Sequence, residues 1–214
     1  MVEFHLARLQ TVLFLTSLDA TKKLNLAMAV RDASDGLLDA DPLILPIPSD
    51  APPEFPRLQL KSSDKRWMYQ LAGNRLDFVF ELPPDKLGNS EFVDIIQRQA
   101  HVASAVWDTI QAKHSASGNR IGVVSLFVSF PDDPIRVLQA RFMQPSDAPV
   151  PHELQLHALH KMVLGQVSIN RWTRCFAGEL ISGGNPRDSL RVEVDINTLS
   201  EQHFDLNSAR ILDF

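Results

Sequence analysis

Residues 56–82, PRLQLKSSDKRWMYQLAGNRLDFVFEL, put apolar side chains at every second position through three successive stretches. Leu58 and Leu60 alternate with Arg57, Gln59 and Lys61; Trp67, Tyr69 and Leu71 share one side; Leu76, Phe78, Phe80 and Leu82 share another. A period of two is the period of a pleated strand, so each run has one face to bury. The breaks, Ser62-Ser63-Asp64-Lys65 and Ala72-Gly73-Asn74, are turn chemistry, and Gly73 and Asn74 tolerate the positive φ of tight hairpins. The segment therefore predicts a three-stranded antiparallel meander with strands near 57–61, 66–71 and 75–82.

The rest of the chain is read around that meander. Segments 3–15 and 24–30 read as two strands, the second with Leu24, Leu26, Met28 and Val30 on one face. Residues 32–56 carry prolines at 42, 46, 48, 52, 53 and 56, which remove backbone donors and oppose regular structure. They predict an extended surface loop. After Pro83-Pro84 a long helix is expected at about 91–113, with Ser90 as N-cap and Glu91 in the first turn. Its apolar stripe is Phe92, Ile95, Ile96, Gln99, Ala103, Val106, Trp107 and Ile110. Gly118 breaks the loop that follows it.

RIGVVSLFVSF, 120–130, is almost continuously apolar and reads as a central strand covered on both faces. Asp133-Pro134 reads as N-cap and first residue of a short helix at 134–143. Residues 152–162 are expected to be helical, with Leu156, Leu159 and Val163 on one face. A strand pair or a bent strand is expected from 165 to 181, then a turn at Ser182-Gly183-Gly184-Asn185-Pro186 and a strand at 189–197. The fold class expected is α+β: an antiparallel-rich sheet with the long helix and one or two shorter ones packed on it. The reading is one domain, 1–214, with two sub-halves meeting near 144–151. Leu60, Trp67, Phe78, Phe80, Ile95, Val106, Ile121, Val123, Val192 and Val194 are expected to be buried.

Composition narrows the class of function. The single cysteine, Cys175, permits no disulfide within the chain and suits a reducing compartment. No stretch approaches the ~18 apolar residues of a membrane span, and the N-terminal run lacks the basic flank of a signal peptide. A cytoplasmic protein without membrane partners is expected. The net charge of −5 argues against a general nucleic-acid binder, which shows a basic balance or stripe.

The chemistry-bearing clusters are weighed against plainer readings. His152, His157 and His160 lack the i,i+4 spacing of a helical zinc site, and no thiol or acid cluster joins them, so no metal and no cofactor is expected. Cys175 lies beside Arg171 and Arg174, which could lower a thiolate pKa, but Phe176 and Ala177 favour a buried structural thiol. Ser182 to Asn185 opens no helix and is a hairpin turn rather than a phosphate cradle. No catalytic motif is present, and the chain reads as a non-enzyme. Lys65-Arg66-Trp67 and Arg171-Trp172-Thr173-Arg174 mix cations with rings, as single-strand binders do. Burial of Trp67 and Trp172 is the plainer reading of both. The segment LILPIP offers Leu43, Ile44, Leu45 and Ile47 as an apolar strip stiffened by proline, a candidate contact for a partner.

Five stretches, Pro56-Arg57, Ser62-Ser63-Asp64, Gln70, Asn74-Arg75-Leu76 and Arg120-Ile121-Gly122, with Asp195-Ile196-Asn197 beyond them, form a further pattern. Over 55–130 the chain resembles a broad, uncharacterised family of small bacterial and phage α+β proteins. That pattern continues past its last strand into a further helix, whereas this sequence stops at Phe214. The resemblance implies the fold class and a bacterial or phage origin, and no activity. With it, the expected function is a non-catalytic interaction subunit or adaptor of a bacterial complex, with phage defence or a toxin–antitoxin pair as the setting. Its partner would be another protein subunit or a second copy. The alternative is a nucleic-acid-binding component using Lys65, Arg66, Arg171, Trp172 and Arg174.

Overall fold

The computed structural model describes residues 2–19, 22–48, 50–83, 86–87, 92–143, 150–182, 185–202 and 204–214. The fold is α+β, an antiparallel sheet with helices packed on one face. Nine strands form one sheet: β1 (His5–Ser17), β2 (Leu43–Ile44), β3 (Leu58–Lys61), β4 (Trp67–Leu71), β5 (Arg75–Glu81), β6 (Ser117–Ser129), β7 (Leu154–Leu164), β8 (Val167–Ser182) and β9 (Asn185–Thr198). Their order is β2-β3-β4-β5-β1-β6-β9-β8-β7, and every pairing is antiparallel. The helices are α1 (Lys23–Ala33), α2 (Phe92–His114), α3 (Pro134–Phe142) and α4 (Ser208–Asp213).

The meander closes as its alternation requires. Leu60, Tyr69 and Phe78 lie in one cross-strand row, and Leu58, Leu71 and Leu76 in the next. These side chains are buried under α1 and α2, together with Leu9 and Leu13 of β1 and Ile121 of β6. Inside this core Gln99 of α2 donates from Nε2 to Thr11 Oγ1 at 2.9 Å and to the Phe78 carbonyl at 3.1 Å, which fastens the helix to two strands at once. Gly73 does not supply a positive φ. It makes room: a Cβ there would lie 3.1 Å from the Pro53 carbonyl oxygen, which accepts a 2.6 Å hydrogen bond from Gly73 N. That bond holds the proline-rich loop against the β4–β5 turn.

Four expectations are corrected. Residues 24–30 are not a strand but most of α1, which buries Leu26, Ala27, Ala29 and Val30 and leaves Leu24 and Met28 exposed. Apolar residues at i, i+3 and i+4 serve a helix against α2 better than the alternation serves a strand. Residues 152–162 are not a helix; 154–164 form β7, paired along its whole length with β8. As an edge strand that packs only Leu154 and Leu156 against a core and leaves the rest exposed, β7 needs little alternation, so its pattern carried a weak strand signal. Its hairpin to β8 turns at Gly165 with φ +59°, the positive angle a two-residue loop needs at its first position. Beyond β9 the chain forms α4, capped by Asn207, where the sequence reading placed no helix. The buried set expected of the sheet holds for Leu60, Trp67, Phe78, Phe80, Val106 and Ile121, while Ile95, Val123, Val192 and Val194 are only half-buried.

The short helix α3 starts as read, with Asp133 accepting from Arg136 N at 2.9 Å and Pro134 in the first turn. The N-cap read at Ser90, its neighbour Glu91, and the glycines of the 182–186 turn lie outside the described residues. No helix among the described residues is long and apolar enough to cross a membrane.

Candidate functional site

Register decides which side chains share a face, because directly paired residues point to the same side. On the helix side, Leu9, Leu13, Ile121 and Phe127 meet α2, and Leu190, Val192, Cys175 and Ala177 meet α3. Phe92 of α2 stacks edge-on against Phe127, which pairs with Val192 under α3, so both helices sit on the same side. The opposite side of β1, β6, β9, β8 and β7 meets no helix among the described residues, and most of its side chains are half-exposed.

This open face has a definite make-up. One cross-strand row runs Gln10, Val124, Asp195, Trp172, Leu159, and the next runs Arg8, Leu126, Glu193, Arg174, His157. Phe14 and Arg120 pair on β1 and β6, and Arg191 and Phe176 on β9 and β8. Each of the half-exposed rings carries an arginine: Arg120 lies 4.3 Å from the Phe14 centroid, Arg174 5.5 Å from Trp172, and Arg191 5.6 Å from Phe176. His157 adds an edge-on contact to Phe176 at 5.8 Å. The cations Arg8, Lys61, Arg75, Arg120, Lys161, Arg174 and Arg191 outnumber the carboxylates Asp77, Glu81, Glu193 and Asp195, although the chain as a whole is acidic.

The arginines are not equivalent. Arg174 is held by Glu193, with Asp195 3.6 Å away, so its charge is largely neutralised. Arg75 is paired with Asp77 at 3.0 Å, and Asp77 also accepts from Gln10 Nε2 at 2.8 Å. Arg8, Arg120 and Arg191 make no ion pair among the described residues, and the buried Nε of each has no acceptor there. Arg8 donates to Gln10 Oε1 at 2.9 Å, whereas Arg120 and Arg191 each lie beside a ring with outer guanidinium nitrogens to offer, on a face that meets no helix among the described residues.

The sequence candidates separate on this frame. Trp172 and Arg174 lie on the open face, and Trp172 is half-exposed rather than buried. Arg171 points to the helix side, paired with Ile196 and His160. Lys65 and Arg66 sit in the β3–β4 turn, on the far side of the sheet from β8. There Lys65 has φ +61° and Arg66 is bound to Asp64 at 2.6 Å. Burial opposes ionisation of Asp64, but hydrogen bonds from Ser62 and from the Arg66 backbone and side chain outweigh it and hold its carboxyl down at about 2. The structure does not bring these five residues together.

Phe14, Phe176, Arg120 and Arg191 were missed. Their signal is the phase of alternation along β6, β8 and β9, which identifies a shared face only once the pairing is known.

The proline-rich segment lies along the outer edge. Leu43 and Ile44 pair with Gln59 and Leu58, and Leu45 N donates to the Arg57 carbonyl at 3.0 Å. Backbone bonds dock the strip, while Leu43 and Ile44 stay 52% and 41% exposed and Leu45 and Ile47 half-buried. His157 and His160 do not share a face, since on a strand an odd separation puts them on opposite sides. Among the described residues no group of three or more His, Cys, Asp or Glu is placed to hold a metal ion. Cys175 is buried, and burial pushes its thiol above its ordinary range, away from the reactive thiolate.

No family model matches the chain, and no curated protein sequence matches it. Among solved structures it is similar to a rolling circle replication initiator protein from Geobacillus stearothermophilus at 11% identity and a TM-score of 0.34, over 100% of this chain and 80% of that one. That likeness is too slight to bear on fold or function.

Proposed function

We propose that the open sheet face binds single-stranded nucleic acid, without catalysis, as a component of a bacterial complex. The observation that carries the reading is the pairing of each half-exposed ring on a helix-free face with an arginine: Phe14 with Arg120, Trp172 with Arg174, Phe176 with Arg191. Unstacked bases lie on aromatic rings of an open sheet, and adjacent guanidinium groups meet the phosphates. Arg120 and Arg191 make no ion pair among the described residues, so their outer guanidinium nitrogens are the donors for that contact, while Arg174 is tied to carboxylates and serves to hold Trp172. Double-stranded DNA offers no exposed ring faces to this surface and is bound less well.

The test is a fluorescence anisotropy titration of a labelled oligo-dT over a range of salt. Binding that weakens with salt is expected. Replacing Arg120 and Arg191 together with Ala lowers the salt slope by about 1.4, at ~0.7 per phosphate contact for single strands. Absence of salt-dependent binding by the wild-type chain overturns the proposal.

A second reading, protein contact at the β2 edge, is favoured by the exposure of Leu43 and Ile44. Replacing Leu43, Ile44 and Ile47 with Ser then leaves the melting temperature almost unchanged and removes a co-purifying subunit. A large loss of stability makes the strip part of the protein's own core instead.

A further inference from the structure

The two edges of the sheet are handled in opposite ways. β2 is two residues long and flanked by Pro42, Pro46 and Pro48, features that prevent another chain from adding to an edge. β7 at the other edge has eleven residues, no proline, and an unbroken register with β8. Its outer row of backbone groups is unpaired among the described residues. Leu159, Met162, Val163 and Leu164 are 41%, 42%, 69% and 43% exposed on it. A long edge of this kind, unbroken in register and with exposed apolar side chains, is a template for strand addition.

We infer that β7 pairs antiparallel with β7 of a second copy, joining two sheets across a two-fold axis at Leu159. The occupant follows from the strand itself. Leu159 is the middle residue of 154–164, so the symmetric register centred on it pairs all eleven residues. In that register Leu159 meets Leu159, Leu156 meets Met162 and Leu154 meets Leu164, so apolar side chains face each other on both sides of the new ladder. The strand carries no carboxylate, and its one lysine, Lys161, meets His157 of the copy and not another lysine. Full pairing forms roughly ten to twelve backbone hydrogen bonds. The alternative union of β7 with β2 of another copy would propagate without closing, and the short, proline-flanked β2 opposes it. The isologous dimer closes.

The geometry also joins the two open faces. Trp172 lies beside Leu159 in the same row, so the dimer sets Trp172, Leu159 and their two counterparts side by side. At ~4.8 Å per strand the two tryptophans stand about 14 Å apart.

The experiment is sedimentation together with disulfide trapping, in the full chain with Cys175→Ala. The expected mass is twice the 24.0 kDa of the chain. Leu159→Cys gives a cross-linked dimer under mild oxidation; Leu154→Cys, whose counterpart is Leu164 of the second copy, does not. Leu159→Lys with Val163→Lys yields a monomer with an unchanged circular dichroism spectrum, both side chains being exposed. A wild-type chain that stays monomeric at high micromolar concentration overturns the inference. So does trapping through Leu154→Cys alone, or a dimer that survives both lysines, including one held instead through a bound peptide. Mass and cross-linking are read without nucleic acid, so they test the edge whatever the face binds; Trp172→Ala tests the face.

Discussion

Leu13 and Phe14 are neighbours on β1 and belong to different surfaces. Leu13 is fully buried between Leu76 and Ile121 beneath α2, whereas Phe14 lies half-exposed between Arg75 and Arg120. The comparison extends across the sheet. One face is apolar and buried where helices cover it, around Leu9, Leu13 and Ile121, and opens towards β7, where Met162 and Leu164 are exposed; the other interleaves rings, arginines and carboxylates and meets no helix among the described residues. The buried core lies on the first face, and the binding proposed above is assigned to the second.

Substitutions on the two faces should part these properties. The largest effect is expected from Leu13→Ala, a fully buried leucine whose removal leaves a cavity: roughly 2–5 kcal/mol of stability is lost, as read from urea unfolding. Phe14→Ala, one residue along, should cost much less stability and weaken oligonucleotide binding. Equal destabilisation by both would erase the distinction between the faces.

An intermediate effect is expected at Trp172. Its replacement by Ala removes one stacking platform, worth about 1–3 kcal/mol per base, so affinity for oligo-dT falls roughly five- to 150-fold while the unfolding midpoint moves little. Measuring both on one sample sharpens the comparison, because a merely structural tryptophan would lose stability first.

The smallest effect concerns Asp64, at the β3–β4 turn and away from both surfaces. Its carboxyl is held at about 2, below the ordinary value near 3.9, so the charged form favours the folded state. The contribution is complete above pH ~5 and is lost as pH falls through the folded value towards ~1. Asp64→Asn should therefore lower the melting temperature slightly at neutral pH and not at all near pH ~1. The side chain is substantially exposed, so solvent screening keeps the effect modest.

The sequence made legible those elements whose burial is one-sided. The meander, α2 and β9 each carry a clear period because each faces a core on one side, and β6 shows itself as an almost continuous apolar run, although helices cover only one of its faces, not both as read, and Val124 and Leu126 stay half-exposed on the other. The segments misread satisfy two periods at once. LNLAMAV alternates as a strand and also spaces Leu26, Ala29 and Val30 for a helix, and only the presence of α2 as a packing partner decides between them. β7 lost its signal because an edge strand has little to bury. The candidate site was half legible: Trp172 and Arg174 stood out as a local cluster, but Phe14, Arg120, Phe176 and Arg191 come from four strands. Their convergence depends on the order β1-β6-β9-β8, a property of long-range pairing that no local pattern encodes.

The central claim is that the open face receives unpaired bases, and tryptophan emission tests it most directly. Of the three tryptophans, Trp67 and Trp107 are buried on the helix side and Trp172 is half-exposed on the open face. Titration with oligo-dT should quench the emission, the quenching should reverse with added salt, and Trp172→Phe should abolish it. Emission that does not change at saturating oligonucleotide, or quenching that persists in Trp172→Phe, would contradict the account.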